Sequence, residues 1–258
     1  MPAHFPHRSR LPMKAAVISD IHANLPALQA VLLEIDSSDV DEIWCLGDAV
    51  GYGASPNECL ETLGERCDAW LVGNHDLAAL GEIDISTFSP SAAEAAMWTR
   101  TQLGETSVES LRALGTAARE RRGDFGLYHA SPRDPVWEYV VDVELAEDCL
   151  NVQEERICLI GHSHIALYFT RADELSRITS ELAPDGTSLS LAGGQWLVNP
   201  GSVGQPRDGD PRAAWLELDT ETLKATYRRV EYPVHLAAEA IMEAGLPPHL
   251  ADRLYQGH

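Results

Sequence analysis

Short apolar runs alternate with amphipathic stretches over the first two-thirds of the chain. The runs are AAVIS (15–19), IWCLG (43–47), AWLVG (69–73), FGLYH (125–129) and ICLIG (157–161). Each is rich in β-formers and bounded by glycine or polar residues, which predicts strands. Helical periodicity fills the gaps. LPALQAVLLEID follows Asn24, a residue suited to a helix N-cap. SPNE from Ser55 has the form of a capping box, with Pro56 at the first helical position. SPSAAEAAMWTRTQL opens with Ser89-Pro90 and offers a second box, Ser91 to Glu94, and TSVESLRAL (106–114) predicts another helix. RERR, Arg119 to Arg122, reads as a solvated helix end.

The pattern changes in the last third. ALYFT, LSRITSEL, TSLSLA, QWLVNP, AAWLELDT and TLKATYRRV read as strands separated by turn residues such as Pro184-Asp185-Gly186 and Asp219-Thr220. PVHLAAEAIMEAG and PPHLADRLYQG close the chain as helices. Alternating units followed by antiparallel strands predict an α/β architecture of two packed sheets with helices outside.

Composition narrows the class. With 258 residues, 45% hydrophobic and 23% charged, the chain is long enough for one well-buried domain. That domain is expected over 13–258, with a helical cover segment at about 77–123. The start, MPAHFPHRSRLP, is polar and aperiodic, so residues 1–12 are expected to be a disordered leader rather than a secretory signal. No apolar run approaches the ~20 residues of a membrane span. The five cysteines are odd in number and contain no CxxC; Cys45 and Cys158 sit inside strand runs as small hydrophobes. No disulfide framework is expected, and the cytoplasm is the expected compartment. The formal charge is -21, from 40 acidic and 19 basic residues. Such a surface disfavours nucleic acid and anionic membranes as partners. A phosphate-bearing substrate would have to be attracted locally, against the global field. Oligomeric state stays open.

The residues that follow the early runs carry the chemistry. AAVIS leads to Asp20 and His22, IWCLG to Asp48, and AWLVG to Asn74, His75 and Asp76; FGLYH ends in His129, and ICLIG leads to His162 and His164. In parallel sheets, sites assemble outside the carboxyl ends of strands, so five neighbouring strands would deliver Asp, His and Asn to one edge. In extended chain, residues i and i+2 point to the same side. Asp20 with His22, and His162 with His164, would then each project a ligand pair. Two ions bridged by a shared ligand sit ~3.5–4 Å apart, so one HxH could serve both. Taken singly, Asp20 and Asp48 also read as helix N-caps, and His129 as a core histidine.

The ordered set DxH, GD, GNHD, a lone His and GHxH resembles the calcineurin-like metallophosphoesterases, in their compact bacterial and archaeal phosphodiesterase-like branch. SDIHANLPAL, GDAVGYGASPNE and NPGSVGQPRDGDPRAAW look like that branch too, and the likeness spans roughly Met13 to Val230. The resemblance implies a four-layer α-β-β-α sandwich of two mixed sheets flanked by helices. It implies that Asp20, His22 and His164 hold one divalent ion, that Asn74, His129 and His162 hold the other, and that Asp48 bridges them. It also implies that His75 reaches the substrate. Ligands of this mixture, without thiolate, suit Mn²⁺ first, with Fe, Zn²⁺ or Ni²⁺ as alternatives. Two such ions against Asp20, Asp48 and one hydroxide leave a positive centre able to hold phosphate.

The expected activity is hydrolysis of a small phosphodiester or nucleotide by a metal-bridging hydroxide. His75 would protonate the leaving group or stabilise the transition state, and Asp76 would orient His75 or cap the following helix. Asn24, Tyr52 and Arg207 are candidate substrate contacts. Asn24 reads first as a cap and Arg207 first as half of a surface ion pair, and Tyr52 reads also as loop packing. Phosphomonoesterase, protein phosphatase or dinucleoside polyphosphate hydrolase activity on the same core, and a non-catalytic scaffold, are the alternatives. The chemistry at phosphorus is common to the enzymes among them, and substrate preference resides in loops and cover segments.

Overall fold

The computed structural model describes residues 13–258; the leader expected at 1–12 lies outside the described residues. Two six-stranded mixed sheets pack face to face. The first contains β1 (Lys14–Ile18), β2 (Glu42–Cys45) and β3 (Ala69–Trp70), all parallel, joined to an antiparallel trio, β11 (Ala213–Asp219), β12 (Lys224–Val230) and β9 (Ser188–Ser190); the order is β3-β2-β1-β11-β12-β9. The second runs β4-β5-β6-β10-β7-β8, from β4 (Arg119–Arg122), β5 (Phe125–Tyr128), β6 (Ile157–Leu159), β10 (Gln195–Pro200), β7 (Ala166–Arg171) and β8 (Thr179–Leu182). Its central strands β5, β6 and β10 are parallel, and its flanks antiparallel.

Alternation along each strand builds the layers. Ala15 and Val17 of β1 face the second sheet, where they join Leu127, Leu159 and Val198 in an inter-sheet core. Ala16 and Ile18 face the other way, into a core shared with α1 (Leu25–Asp36), α2 (Pro56–Arg66) and α7 (Val234–Glu243). The outer face of the second sheet buries Cys158, Phe169 and Leu197 under α6 (Val143–Val152). This is the four-layer α-β-β-α sandwich expected. All five cysteines are free, and no helix of the described residues is long and apolar enough to cross a membrane.

Three local expectations are corrected. RERR is strand β4, an edge strand paired antiparallel with β5 (Arg119↔Tyr128). Its alternating exposure suits an edge strand, where charge blocks further pairing. The Ser55 box does not form: Pro56 opens α2, but no side-chain cap bond is made. In α4 (Pro90–Gln102) the cap is Ser89, which accepts from the Ala92 N–H, and Ser91 lies inside the helix. The cover segment folds as α3 (Asn74–Leu80), α4, α5 (Glu105–Ala113) and β4.

Candidate metal centre and substrate cleft

The five strand ends are not neighbours in one sheet. Those of β1, β2 and β3 belong to the first sheet and those of β5 and β6 to the second, so the candidate residues converge across the sandwich. Nor do the DxH and HxH pairs stand on extended chain. Asp20, His22, Asp48, His162 and His164 have φ between 49° and 64°. The left-handed region costs a non-glycine residue roughly 1–2 kcal/mol, and such strain persists where the surroundings over-determine it. Here the loops brace one another. Asp20 N–H donates to Gly47 O (3.0 Å), His22 N–H to Asp48 O (3.0 Å), and His162 N–H to Asp20 Oδ2 (3.0 Å). The 199–205 loop closes the back: Ser202 Oγ donates to Asp20 O (2.7 Å), and Asn199 Nδ2 to Gly161 O (2.8 Å). Gly73 admits Asp48 to the centre, since a Cβ there would lie 2.0 Å from Asp48 Oδ1.

The inward face consists of acceptors. His22 Nδ1 faces Val50 O (3.0 Å), His129 Nδ1 faces Leu46 O (3.1 Å), and His164 Nδ1 faces Gln205 O (2.7 Å). A carbonyl only accepts, so each Nδ1 carries the proton, and each neutral ring presents a bare Nε2 lone pair. His162 is turned the other way: Nε2 faces Trp137 O at 3.2 Å, which leaves Nδ1 bare. The His22 and His164 Nε2 atoms nevertheless stand 3.0 Å apart. His164 Nε2 is 3.4 Å from Asp20 Oδ1, and His22 Nε2 is 3.6 Å from Asp48 Oδ2. Across Asp48, His129 Nε2 lies 3.7 Å from Asp48 Oδ2 and 3.1 Å from Asn74 Oδ1. Asp20 Oδ1 and Asp48 Oδ2 are buried with no hydrogen-bond partner.

Lone pairs do not approach to 3.0 Å unaided. Donors held at 2.0–2.2 Å from a common cation, however, lie ~3–3.5 Å from one another. A proton is a poor substitute for that cation. Burial holds His22, His129 and His164 well below their ordinary 6.5 and pushes His162 down to about 3. Burial, then the charges of Asp76 and Asp20, lifts Asp48 well above the carboxylate range, and burial brings Asp20 up to about 7. The residues present therefore fit a pair of divalent cations. One set is Asp20, His22, Asp48 and His164, and the other is Asp48, His129 and His162, with Asp48 in both; Asn74 Oδ1 adjoins the second.

Beside this cluster opens a cleft of about 400 Å³ lined by Asn74, His75, His162, Tyr52 and Arg207. Thr87, Phe88 and Ser89 line it from the cover segment. The His75 ring sits between Tyr52 (4.4 Å) and Phe88 (4.9 Å), and its Nδ1 is buried without a partner. Burial, with Arg207 and His129 adding, depresses it to about 3, so at neutral pH it is neutral, with one N–H and one bare ring nitrogen.

Two sequence-based assignments change. Asp76 makes no hydrogen bond to His75: its carboxylate accepts from Gly73 N–H (2.9 Å) and Val50 N–H (3.1 Å), capping α3 and tying it to the Asp48 loop. Asn24 is absent from the cleft lining. Its Oδ1 caps α1 at Ala27 N–H (3.2 Å), and its Nδ2 donates to Gly204 O (2.8 Å) and Tyr232 Oη (3.2 Å). Among the described residues Arg207 forms no ion pair; it donates to Gln205 Oε1 (2.9 Å), and its Nε has no partner there. Sequence reasoning missed the carbonyls that fix each tautomer, because any residue supplies a carbonyl. It also missed Tyr139, stacked on His162 at 3.9 Å, and Phe88, Trp137 and Arg253 in the cleft.

A sequence profile described as "Calcineurin-like phosphoesterase superfamily domain" matches residues 13–221. An uncharacterised protein of Methanocaldococcus jannaschii is 38% identical over 245 residues, covering 94% of this chain and 97% of its own. A metallophosphoesterase crystal structure from Sphaerobacter thermophilus is 38% identical, with TM-score 0.86 over 96% of this chain and 100% of its own. A hypothetical protein from Pyrococcus horikoshii shares the fold at TM-score 0.75 and 21% identity, over 95% of this chain and 98% of its own. With its buried Asp/His cluster and its two-sheet sandwich, the chain belongs to the calcineurin-like phosphoesterase superfamily.

Proposed function

We propose that this protein is a dinuclear-metal phosphoesterase, working in the cytoplasm with Mn²⁺, that prefers a small phosphodiester or nucleotide. Superfamily membership supports a hydrolase acting on phosphate esters. The observation that carries the metal requirement is the all-acceptor cluster: imidazole lone pairs and unpartnered carboxylate oxygens meet with no donor between them. When bound, two divalent ions would supply Lewis-acid polarisation of the phosphoryl oxygens and a water acidified enough to attack at neutral pH.

The chain's own residues do the rest. Asp48 Oδ2 faces both histidine groups, while Asp48 Oδ1 accepts from the His75 backbone N–H at 2.8 Å, so this one carboxylate would be shared by the two seats. The neutral His75 ring lines the cleft and donates its N–H to the charge developing on the phosphoryl or leaving oxygen. Arg207 brings a cation to the same cleft and gathers an anionic substrate against the chain's net charge of -21. The acidic surface disfavours nucleic acid as the substrate.

The test is hydrolysis of bis-p-nitrophenyl phosphate against p-nitrophenyl phosphate by Mn²⁺-loaded protein. A higher kcat/KM on the diester supports the reading. Preference for the monoester moves it to a phosphomonoesterase. Silence on both, with metal bound, moves it to a scaffold.

A further inference from the structure

The cleft holds two arginines and no carboxylate. Among its lining residues, Arg207 and Arg253 carry the only fixed charges, in a chain with 40 acidic residues. Among the described residues neither guanidinium is paired with a side-chain carboxylate, and Arg207 donates instead to Gln205 Oε1 (2.9 Å). Arg207 lies at 5.7 Å over the Tyr52 ring, and its backbone N–H is tied to His164 O at 3.1 Å, which fixes it next to the metal cluster. Arg253 enters from the 3₁₀ turn Arg253–Tyr255, beyond the profile-matched residues 13–221. Its Nε donates to His258 O, and its two Nη groups make no hydrogen bond among the described residues. Burial, then the positive charge of Arg207, pulls Arg253 below its ordinary value, so each guanidinium lies within the other's field. Two guanidiniums that line one cleft can both donate to an anion placed between them. In the same lining, Phe88 and Trp137 meet edge-on at 5.8 Å and give the cleft an aromatic surface.

We propose that Arg207 and Arg253 form a second anion subsite beside the metal centre, which selects nucleotides bearing more than one phosphate over those bearing one. The inference rests on the phosphoesterase reading only for the placement of the first phosphate. That phosphate goes to the metal side of the cleft, the next phosphate lies across the guanidinium pair, and the planar base lies against Phe88 and Trp137. Phosphate binds guanidinium in a bidentate fork that lysine cannot reproduce.

AMP and ADP differ by the one phosphate in question. Calorimetric titration of metal-free protein with each is expected to show ADP binding about tenfold tighter, and ADP is expected to inhibit bis-p-nitrophenyl phosphate hydrolysis by the Mn²⁺-loaded protein with a similar advantage. In Arg253→Gln and, independently, in Arg207→Gln, the ADP/AMP ratio should fall towards one. Arg253→Lys should keep only part of it. Equal affinity for AMP and ADP in the wild type would overturn the subsite. So would an ADP advantage that survives Arg253→Gln, since the Arg253 guanidinium then plays no part in it, or an equal loss for both ligands, which marks a structural role. If the Mn²⁺-loaded protein hydrolyses no ester, the phosphoesterase reading fails, and the metal-free titration still judges the subsite.

Discussion

Replacing Gly73 with alanine perturbs the centre without removing a ligand. Gly73 has an ordinary extended backbone (φ -106°), so an added methyl meets no conformational penalty and acts only through space. Its Cβ would fall 2.0 Å from Asp48 Oδ1 and 2.5 Å from Asp48 N, where real Cβ atoms essentially never come closer than 3.0 Å. Asp48 must therefore retreat by about 1 Å. That breaks its 2.8 Å bond from the His75 N–H and carries Oδ2 away from His22 and His129. Overpacking of this kind costs ~1–3 kcal/mol of stability, and a 1 Å misplacement of a reacting group costs about 10²-fold in rate. Gly73→Ala should thus lower kcat on bis-p-nitrophenyl phosphate about 100-fold and lose bound metal on dialysis, while still melting cooperatively. Gly193→Ala, where a Cβ meets nothing within 4 Å, should match wild type in all three measurements. A folded Gly73→Ala protein with full metal content and wild-type turnover would refute the role given to Asp48.

Other predictions follow from the same geometry. His75→Ala should reduce turnover by roughly 10²–10⁴-fold with metal content unchanged; metal loss in step with activity would make His75 structural. Asp76→Ala removes a buried acceptor from the Gly73 and Val50 N–H groups, so it should destabilise the fold by about 2–3 kcal/mol. The protein that stays folded should lose less than tenfold in kcat, because Asp76 does not touch His75. Metal-free protein should gain stability as pH rises from about 5 to 6.5. Five buried histidines (His22, His75, His129, His162, His164) hold no proton when folded but take one up below 6.5 when unfolded. Asp20, Asp48 and Asp76 oppose them, since they keep protons in the folded state that the unfolded chain has released above 3.8, the Asp20 and Asp76 contributions fading towards about 7 and 6. Five against three leaves a surplus of two protons on the unfolded chain, or at most about 2.7 kcal/mol per pH unit. Denaturant midpoints at several pH values check this, and a midpoint falling over that range would contradict it.

The ligand types were legible in the sequence because each group follows or ends an apolar run: Ser19 before Asp20, Gly47 before Asp48, Gly73 before Asn74, Gly161 before His162, and His129 closing FGLYH. The two-sheet sandwich was legible from the change of pattern after His164. What the pattern misplaced depends on contacts distant along the chain. The parallel-sheet rule set all five strand ends on one edge, whereas β5 and β6 pair with β10 and reach the centre from the opposite sheet. The i, i+2 argument reached the right pairs through the wrong backbone, because the left-handed turns at Asp20, His22, His162 and His164 are held by partners such as Gly47 O and Gln205 O. Asp76 resembled a partner for His75 from adjacency alone, but the N-terminus of a helix directs it to backbone N–H groups. Arg253 gave no signal, being one charge in a polar tail until the fold returns that tail to the cleft.

The most direct test of the dinuclear centre is a metal count. Protein stripped with chelator, reloaded with Mn²⁺ and passed through a desalting column should carry two ions per chain by plasma mass spectrometry. Asp48→Ala should carry close to none, because both seats share that carboxylate. Wild type that returns empty, or an Asp48→Ala protein that keeps both ions, would contradict the account.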